Sequence, residues 1–521
     1  MRLLPLLALL AAVAGSARPA GESLYRAHCQ ACHLPSGQGV PGVFPPLAAS
    51  DFLADRARTI RALCEGLSGP ITVNGVAYNG VMPLLPLSDA EIAEVLTFVY
   101  SSWGNSGEPV TAIEVARVRA TLKLPTLDAA LAAAAHPPLP PAPEGFTLRE
   151  LARLPELPAR LALHPDGAPL VLTPRGNLWR VDPRDGAVSL FLDRAAYLDP
   201  ARPEVSTTGF CFDDRRRLYL TVNEIDRQTR PVTNRVRIVR SAPLGEAPPR
   251  PETWLETAYP YGVGPFNHAV NHIAQGPDGW LYVNSGSRTD ANESGSDERY
   301  FQGGEVPSTA CLWRLDPHAE RPEIEIVARG LRNAYGFAWD GDGRLVATEN
   351  GPDADAPEEL NVIGPGRHYG FPFRFADWDR KPYPHTPDAP PGLRFTDPVR
   401  NDGPDGGAGL ATFEPHSCPS GIAWLDDSFP PGWRGSFLIA RFGNLLRKER
   451  DTGFDVLRVR LRPDGAGWRA ETTRVLGPLG RPLDVATGPG VAYLLEYSRH
   501  TELAARTPQL PGRLLELRVA R

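Results

Sequence analysis

Methionine is almost absent from this chain. Of 521 residues, only Met1 and Met82 are methionine. Thioether chemistry inside the chain therefore falls on Met82. A surplus of positive charge is also lacking. The formal net charge is −6, which removes the electrostatic footing for nucleic acid or for a basic membrane-binding face. After the first twenty residues, no segment is long and apolar enough to span a bilayer. Cysteine is scarce, six in all, and none directly follows the leading apolar segment to carry a lipid.

What is present begins with Arg2 and an apolar run from Leu3 to Val13, followed by small residues. This reads as a bacterial Sec-type signal peptide over residues 1–20, cleaved near Ala17 or Ala20. A periplasmic or secreted protein is expected. Next comes Cys29-Gln-Ala-Cys32-His33. Two thiols two residues apart and then histidine is the attachment pattern of c-type haem. Cys29 and Cys32 would form the thioethers and His33 would ligate the iron. Met82, in Tyr-Asn-Gly-Val-Met82-Pro, is the expected sixth ligand. A thioether opposite imidazole favours Fe(II), and a closed six-coordinate iron suits electron transfer. Cys64, Cys211, Cys311 and Cys418 remain. They allow three full pairings in an oxidising compartment. Spacing does not choose among them, so a Cys311–Cys418 bridge and isolated buried thiols both stay open.

The length suits two or more domains. Residues 21–105 read as a small all-α unit. One helix runs from Ser23 to His33. Another opens at the capping box Ser88-Asp-Ala-Glu91, carries Ile92, Val95, Leu96 and Val99 at helical spacing, and stops at Trp103-Gly104. This order of helix, haem loop, methionine loop and closing helix resembles a class I cytochrome c. The stretch from Leu67 to Pro83 is similar to the methionine loop of such domains in exported dehydrogenases. Residues 106–145 read as a Pro/Ala-rich linker. It holds helical segments at Ile113 to Leu122 and Leu127 to Ala135, then a stiff extended run from His136 to Pro143.

From Phe146 onward, turns separate short apolar segments. Pro-Asp-Gly-Ala-Pro-Leu-Val-Leu near 165, Asp-Asp-Arg-Arg-Arg-Leu-Tyr-Leu at 213, Pro-Asp-Gly-Trp-Leu-Tyr-Val at 277 and Asp-Gly-Asp-Gly-Arg-Leu-Val-Ala at 340 read alike. Each is a turn followed by an alternating strand. Their recurrence predicts an all-β, six-bladed β-propeller over residues 146–521, with Arg513 to Val519 closing the ring on the first blade. A series of β-sandwiches is the structural alternative.

The strongest cluster in this region begins at Arg329-Gly-Leu-Arg332-Asn333-Ala-Tyr-Gly-Phe-Ala-Trp. It continues through Thr-Glu-Asn350-Gly351-Pro352, Glu358-Glu359-Leu-Asn361 and His368-Tyr369-Gly-Phe-Pro, with Asn267-His268 upstream. The order resembles the pyrroloquinoline quinone (PQQ) sugar dehydrogenases of the soluble glucose, aldose-sugar and sorbosone type. The resemblance implies PQQ beside Arg332 and Asn333, with Arg332 stabilising charge at the quinone carbonyl. It implies Ca²⁺ on the backbone oxygens of Gly351 and Pro352, and a second calcium region at Glu358, Glu359 and Tyr369. His268 matches the catalytic base, with His272 its nearest rival. By a looser alignment, Arg441 and Arg447-Lys448 would supply further contacts to PQQ carboxylates, or are plain surface basicity. His416-Ser-Cys418 lies at the same end.

Two departures stand out. Glucose-type members carry an aspartate that supports the catalytic histidine, where this chain has Ser287; Asp290 or another group would substitute. The glutamine expected near Thr207-Thr208-Gly209 is missing. Both differences fit the sorbosone-like branch. The expectation is an exported quinohaemoprotein dehydrogenase. It would oxidise a sugar, sugar aldehyde or polyol through PQQ and pass electrons by haem c to a cytochrome, copper protein or oxidase. Two other classes fit the same elements. One is a haem c carrier whose propeller is a non-catalytic docking module. The other is a different propeller enzyme, such as a calcium-dependent lactonase or a nitrite reductase with a d1-haem propeller.

Overall fold

The structure is a computed structural model. It describes residues 20–520 apart from 83–84, 86, 123–137, 203, 263–266, 296, 377, 379, 404–410, 445–451 and 499–509. The leader, the expected helix Leu127 to Ala135 and the pair Arg447-Lys448 lie outside the described residues. The chain divides into two units, Met1–Leu124 and Pro125–Arg521. Among the described residues, no helix is long and apolar enough to cross a membrane.

In the first unit, the expected opening helix is split. One helix covers Ala20–His28, and a short one covers Gln30–His33 after a break at Cys29. The helix Arg56–Glu65 is capped by Asp55, whose side chain accepts from Arg58 N. The capping box at Ser88 forms. Glu91 N donates to Ser88 Oγ at 3.3 Å, and Ser88 N donates to Glu91 Oε2 at 2.8 Å. It opens the helix Asp89–Tyr100. Tyr25, Ile60, Ile92, Val95, Leu96 and Val99 bury together between these helices.

The linker expectation needs a correction at its start. Residues Ala112–Thr121 form a helix with its own capping box, Thr111 and Glu114. Val115 is fully buried in the first unit's core. Arg56 pairs with Glu114 at 2.5 Å, and Arg119 pairs with Asp89 at 2.6 Å. An apolar stripe and two ion pairs tie this helix to the first unit, so it is not free connector.

In the second unit, the described strands make six sheets, the blades of a β-propeller. The first blade uses Arg160–Leu163, Pro169–Leu172, Leu178–Val181 and Val188–Leu192. The next two are also four-stranded and span 205–260 and 270–329. The fourth has three strands over 336–363, and the fifth has five over 400–476. The last blade joins Pro482–Gly488, Val491–Glu496 and Arg513–Val519 to Phe146–Arg153. Arg513–Val519 thus pairs antiparallel with the propeller's first strand. This closure ties the end of the propeller chain to its beginning and completes the last blade, leaving only the short outer edge of each blade.

The four recurring turns all have one job. Each is the hairpin from the inner strand of a blade to its second strand, in blades one to four. Asp213 and Asp340 show why aspartate recurs. Asp213 Oδ1 accepts from Arg215 N and Arg217 N, and Asp340 Oδ1 accepts from Asp342 N and Arg344 N. Inner strands crowd at the axis. A Cβ on Gly209 would overlap Asn271 O of the next blade, and one on Gly336 would overlap Ser420 O.

No described cysteine is bridged, so the Cys311–Cys418 pairing does not form. Cys211 and Cys311 instead pack in one apolar cluster, and Cys64 packs in the first unit's core. The blade packing gives a direct test. Gly209→Ala should destabilise the propeller by about 1–3 kcal/mol through overpacking against rigid backbone. Thermal unfolding of the variant checks this, and an unchanged midpoint would mean the blades slide apart freely.

Candidate functional site

Two sites are built from opposite materials. In the first unit the site is an apolar cavity, open on one side. Cys29, Cys32, His33 and Met82 line it, with Phe44, Leu53, Tyr78 and Val95 among the walls. The loops that frame it, residues 34–50 and 66–87, carry no charged side chain. His33 Nδ1 lies 2.9 Å from Pro45 O. A carbonyl oxygen only accepts, so Nδ1 carries the proton and Nε2 keeps a free lone pair. Burial lowers the His33 pKa, opposed by the bond to Pro45. A neutral, oriented imidazole is what a metal ligand requires. Met82 reaches the same cavity from a short strand, where it pairs with Leu67. A haem fits these residues, with both thiols beside His33 and apolar walls around the ring.

The second site is polar and buried. It gathers at the ends of inner strands and in the loops of blades three to five. His268 precedes the inner strand Val270–Gln275, and His268 N donates to Ser287 O at 2.9 Å. Its Nδ1 lies 3.2 Å from Ser287 O and 3.0 Å from Ser287 Oγ. Ser287 Oγ spends its hydrogen on Thr289 O at 2.7 Å. Both oxygens accept from Nδ1–H, which leaves Nε2 as the free base. Ser287 therefore orients His268 without a charge. Burial, then the Arg332 charge, holds the His268 pKa well below the ordinary histidine value. His272, the rival, is placed differently. Phe337 N donates to its Nδ1 at 3.3 Å, and its ring stacks on Phe337 at 4.2 Å. The proton then sits on Nε2, and the basic lone pair is already used.

Asp290 does not substitute for the missing aspartate at His268. Its Oδ1 accepts from Arg332 Nη2 at 2.5 Å, and its backbone oxygen accepts from Arg332 Nε at 3.0 Å. Arg332 Nη1 donates to Asn350 O at 3.0 Å. Asn333 joins through Asn350 Oδ1 at 3.2 Å and Asn271 Nδ2 at 3.3 Å. A guanidinium has five N–H donors. Among the described residues, three of Arg332's donors are engaged, so two remain. A buried cation with free donors beside a neutral histidine base fits an acidic quinone.

The acidic residues sort differently from the expectation. Successive strand residues face opposite ways, and Glu358 and Glu359 part company. Glu358 Oε2 accepts from Gly351 N at 2.6 Å. Backbone bonds from His416 and Cys418 reach the same carboxyl group, whose pKa burial pushes up to about 8. Glu358 therefore fastens the turn at Gly351 and Pro352 to the turn at His416. Glu359 faces Glu349, its cross-strand partner. Asn361 Nδ2 donates to Glu349 Oε2 at 2.9 Å and to Glu359 Oε2 at 3.0 Å. Asn361 Oδ1 is buried with no partner among the described residues. Burial and then the Glu359 charge raise the Glu349 pKa well above the carboxylate range. Two carboxylates and an unmatched amide oxygen make a hard-oxygen set that suits Ca²⁺. The pair is Glu349 with Glu359, not Glu358 with Glu359. The Tyr369 phenol is spent on Gly364 N and Val362 O, 2.8 Å each. Among the described residues, no three His, Cys, Asp or Glu side chains converge as a metal group. A calcium here would have to draw on carbonyl and amide oxygens as well.

Arg441 donates Nε and Nη2 to Asp455, both at 2.7 Å, so its charge is matched within its own hairpin. Arg481, absent from the sequence expectation, is the better placed cation. It is buried, donates to Asn444 O at 3.0 Å, and lies over Phe442 and Phe454. The charges of Glu358, Asp353, Arg481 and Arg332 all act on the Cys418 thiol, so these groups share one end of the propeller. Tyr383, also missed, donates to Asp290 Oδ2 at 2.7 Å. No periodicity marks either residue, since each comes from an irregular loop or strand start.

Residues 156–504 match the family model Glucose / Sorbosone dehydrogenase, and residues 19–103 match Cytochrome c. The N-terminal part is 43% identical over 111 residues to cytochrome c-552 of Thermus thermophilus, covering 19% of this chain and 84% of that protein. It is 33% identical over 106 residues to the cytochrome c subunit of alcohol dehydrogenase (quinone) of Gluconobacter oxydans, 20% of this chain and 22% of that one. Among solved structures, the PQQ-bound aldose sugar dehydrogenase of Streptomyces coelicolor aligns with 22% identity and a TM-score of 0.46, over 73% of this chain and 100% of its own. The PQQ domain of a Coprinopsis cinerea pyranose dehydrogenase aligns with 14% identity and a TM-score of 0.46, over 74% and 98%.

The haem cavity yields a test of its sixth ligand. Met82→His should lower the midpoint potential of the haem-loaded chain, because a second imidazole stabilises Fe(III) where a thioether favours Fe(II). Spectroelectrochemical titration measures it. An unchanged potential would remove Met82 from the iron.

Proposed function

We propose that this chain, which belongs to the Glucose / Sorbosone dehydrogenase family and carries a cytochrome c domain ahead of it, is an exported quinohaemoprotein dehydrogenase. Its substrate would be a sugar, sugar aldehyde or polyol. The observation that carries this reading is the pairing of a free-based His268 with a buried Arg332 that keeps two donors in reserve. The cytochrome relative named as a subunit of a quinone alcohol dehydrogenase supports joining haem to quinone chemistry.

When bound, PQQ supplies a two-electron quinone acceptor. The residues of this chain do the rest. His268 Nε2 takes the proton of the substrate hydroxyl as its carbon gives up hydride, leaving a carbonyl product. Arg332 offers its two remaining N–H donors to the oxygen where negative charge develops. Arg481 and Asn333 would meet the cofactor's carboxylate and carbonyl groups. The carbonyls of Gly351 and Pro352 would hold the calcium next to it, and Glu349, Glu359 and Asn361 a second one. In the first unit, Cys29, Cys32, His33 and Met82 would hold a haem c that accepts one electron at a time. Carrying donor and acceptor on one chain raises their effective concentration. An external cytochrome, copper protein or oxidase would take the electrons onward.

The His268 environment sets the pH behaviour. Its neutral form is the base. Burial and Arg332 lower its pKa, so the neutral form persists below pH 6.5. The acid limb of kcat/KM should therefore lie below pH 6.5. Ser287→Asp should move that limb to higher pH, because a carboxylate beside Nδ1–H favours the imidazolium. His268→Ala should lower kcat by about 10²–10⁴-fold. A limb that ignores Ser287→Asp would remove His268 as the base.

The whole reading is tested by anaerobic titration of the oxidised, haem-loaded chain with PQQ and Ca²⁺. A panel of aldoses, sorbosone-like aldehydes and polyols is then added, with haem absorption as the readout. Haem reduction that needs both PQQ and calcium supports quinone-to-haem transfer and identifies the substrate class. Failure to bind PQQ sinks the dehydrogenase and leaves a docking module or a lactonase.

A further inference from the structure

Three loops meet at Arg332. The loop after Leu281–Ser285 brings Asp290 and Glu293, the turn after Leu345–Glu349 brings Asn350, and the long loop after Glu359–Ile363 brings Tyr383 and His385. Asp290 and Arg332 side chains are each 6% exposed, so this ion pair is out of water. Tyr383 packs beside the cluster of Ala291, Ala356, Phe371 and Phe375, and its hydroxyl closes on Asp290 Oδ2. The Asp290 backbone is itself pinned, since Asp290 N and Ala291 N both donate to Glu293 carboxylate oxygens at 2.8 and 2.7 Å. Asp353 N adds a bond to Asp290 Oδ1 at 3.3 Å. Asp290 thus makes contact through both carboxylate oxygens and its backbone, while Arg332 is held from two sides.

We propose that Asp290, locked by Tyr383, is a positioning residue that fixes the Arg332 guanidinium and leaves its two remaining N–H donors for the quinone cofactor. The assignment rests on the dehydrogenase reading above. A buried arginine without a partner would turn toward whatever carboxylate comes within reach, including those of the cofactor itself. Matching its charge with Asp290 reserves the free donors for charge that develops during reaction. Preorganised donors of this kind act mainly on the rate, whereas a bare cation would act mainly on ground-state affinity for an acidic ligand. Tyr383 sets the rotamer of Asp290 and shields it from water. It is half-buried and stacks on the more exposed His385 at 5.3 Å, so it lies between the buried ion pair and the surface.

The test uses the full haem-loaded chain with Asp290→Asn, Asp290→Glu and Tyr383→Phe. Three quantities are measured: PQQ affinity by absorbance titration, kcat and KM with an active substrate, and thermal unfolding without PQQ. Asp290→Asn should lower kcat by about ten- to a hundredfold with KM for the substrate within twofold. PQQ should bind at least as tightly as to the parent chain, because the acidic cofactor then meets an unmatched guanidinium. Asp290→Glu should recover part of kcat, and Tyr383→Phe should lower kcat by about three- to tenfold. If kcat stays within twofold of the parent in Asp290→Asn and Tyr383→Phe, the proposal is overturned. It is also overturned if kcat, PQQ affinity and unfolding temperature fall together in both, which is the signature of a merely structural pair. If the parent chain itself fails to bind PQQ, the dehydrogenase reading falls and this assignment with it.

Discussion

A buried guanidinium is the constraint around which the propeller's polar site is arranged. Removing an arginine from water costs several kcal/mol unless an anion and further acceptors meet it. Arg332 is met by Asp290, by the Asp290 backbone oxygen and by Asn350 O. Those partners come from separate loops, so the ion pair can form only if the blades place the loops correctly. The blades in turn depend on ring closure by Arg513–Val519 against Phe146–Arg153. Chain topology, loop geometry and one charge are thereby linked. Tyr383 and Asn333 complete the arrangement by holding Asp290 and Asn350 in place.

The first unit solves the opposite problem. Its cavity has mostly apolar walls, and the His33 imidazole is oriented there by Pro45 O. Low polarity around an iron site disfavours the more charged ferric state, which works in the same direction as a methionine ligand. The proposed electron flow, from a polar site that would manage proton and hydride toward a dry site that would manage single electrons, is chemically consistent. Each unit would then carry the solvation its own step needs. Proton transfer wants a base held by fixed dipoles. Electron transfer wants little reorganisation.

Much of this is legible in the sequence, wherever the signal is local. Cys29, Cys32 and His33 share one turn of chain, Ser88 and Glu91 form a box within four residues, and the aspartate-bearing hairpins of four blades repeat in place. The split at Cys29 is hidden, because apolar periodicity continues through it. The helix Ala112–Thr121 resembles connector because proline and alanine dominate residues 125–143 beyond it. Its Thr111–Glu114 box is the available signal. At the propeller site the Arg332-Asn333 pair and His268 are legible as motifs, but their partners are not. Asp290 is visible as a nearby carboxylate, yet the sequence points it at the wrong cation. Sequence distance cannot tell which of two basic groups a loop carboxylate will reach. Tyr383 lies 93 residues from Asp290 in the chain. Adjacent Glu358 and Glu359 look like one acidic pair, yet strand alternation sends them to opposite sides.

The buried carboxylates of the site pose a charge problem of their own. Arg332 and Asp290 cancel, and burial and then the Arg332 charge keep the His268 pKa well below the ordinary histidine value. Glu349 and Glu359 are buried across one strand pair and share the Asn361 amide, while Ala376 N donates to Glu359 Oε1 at 2.6 Å. Two carboxylates so placed cannot both ionise without a counter-charge, and the raised Glu349 pKa reports that conflict. A protein can resolve it with a proton or with a cation. The proton alternative leaves the buried Asn361 oxygen unsatisfied, at a cost of about 1–3 kcal/mol. In the proposed calcium reading, a cation would supply the counter-charge that both carboxylates need. Glu349 also accepts from Arg332 N at 2.5 Å, so a cation there would stiffen the backbone that carries the arginine.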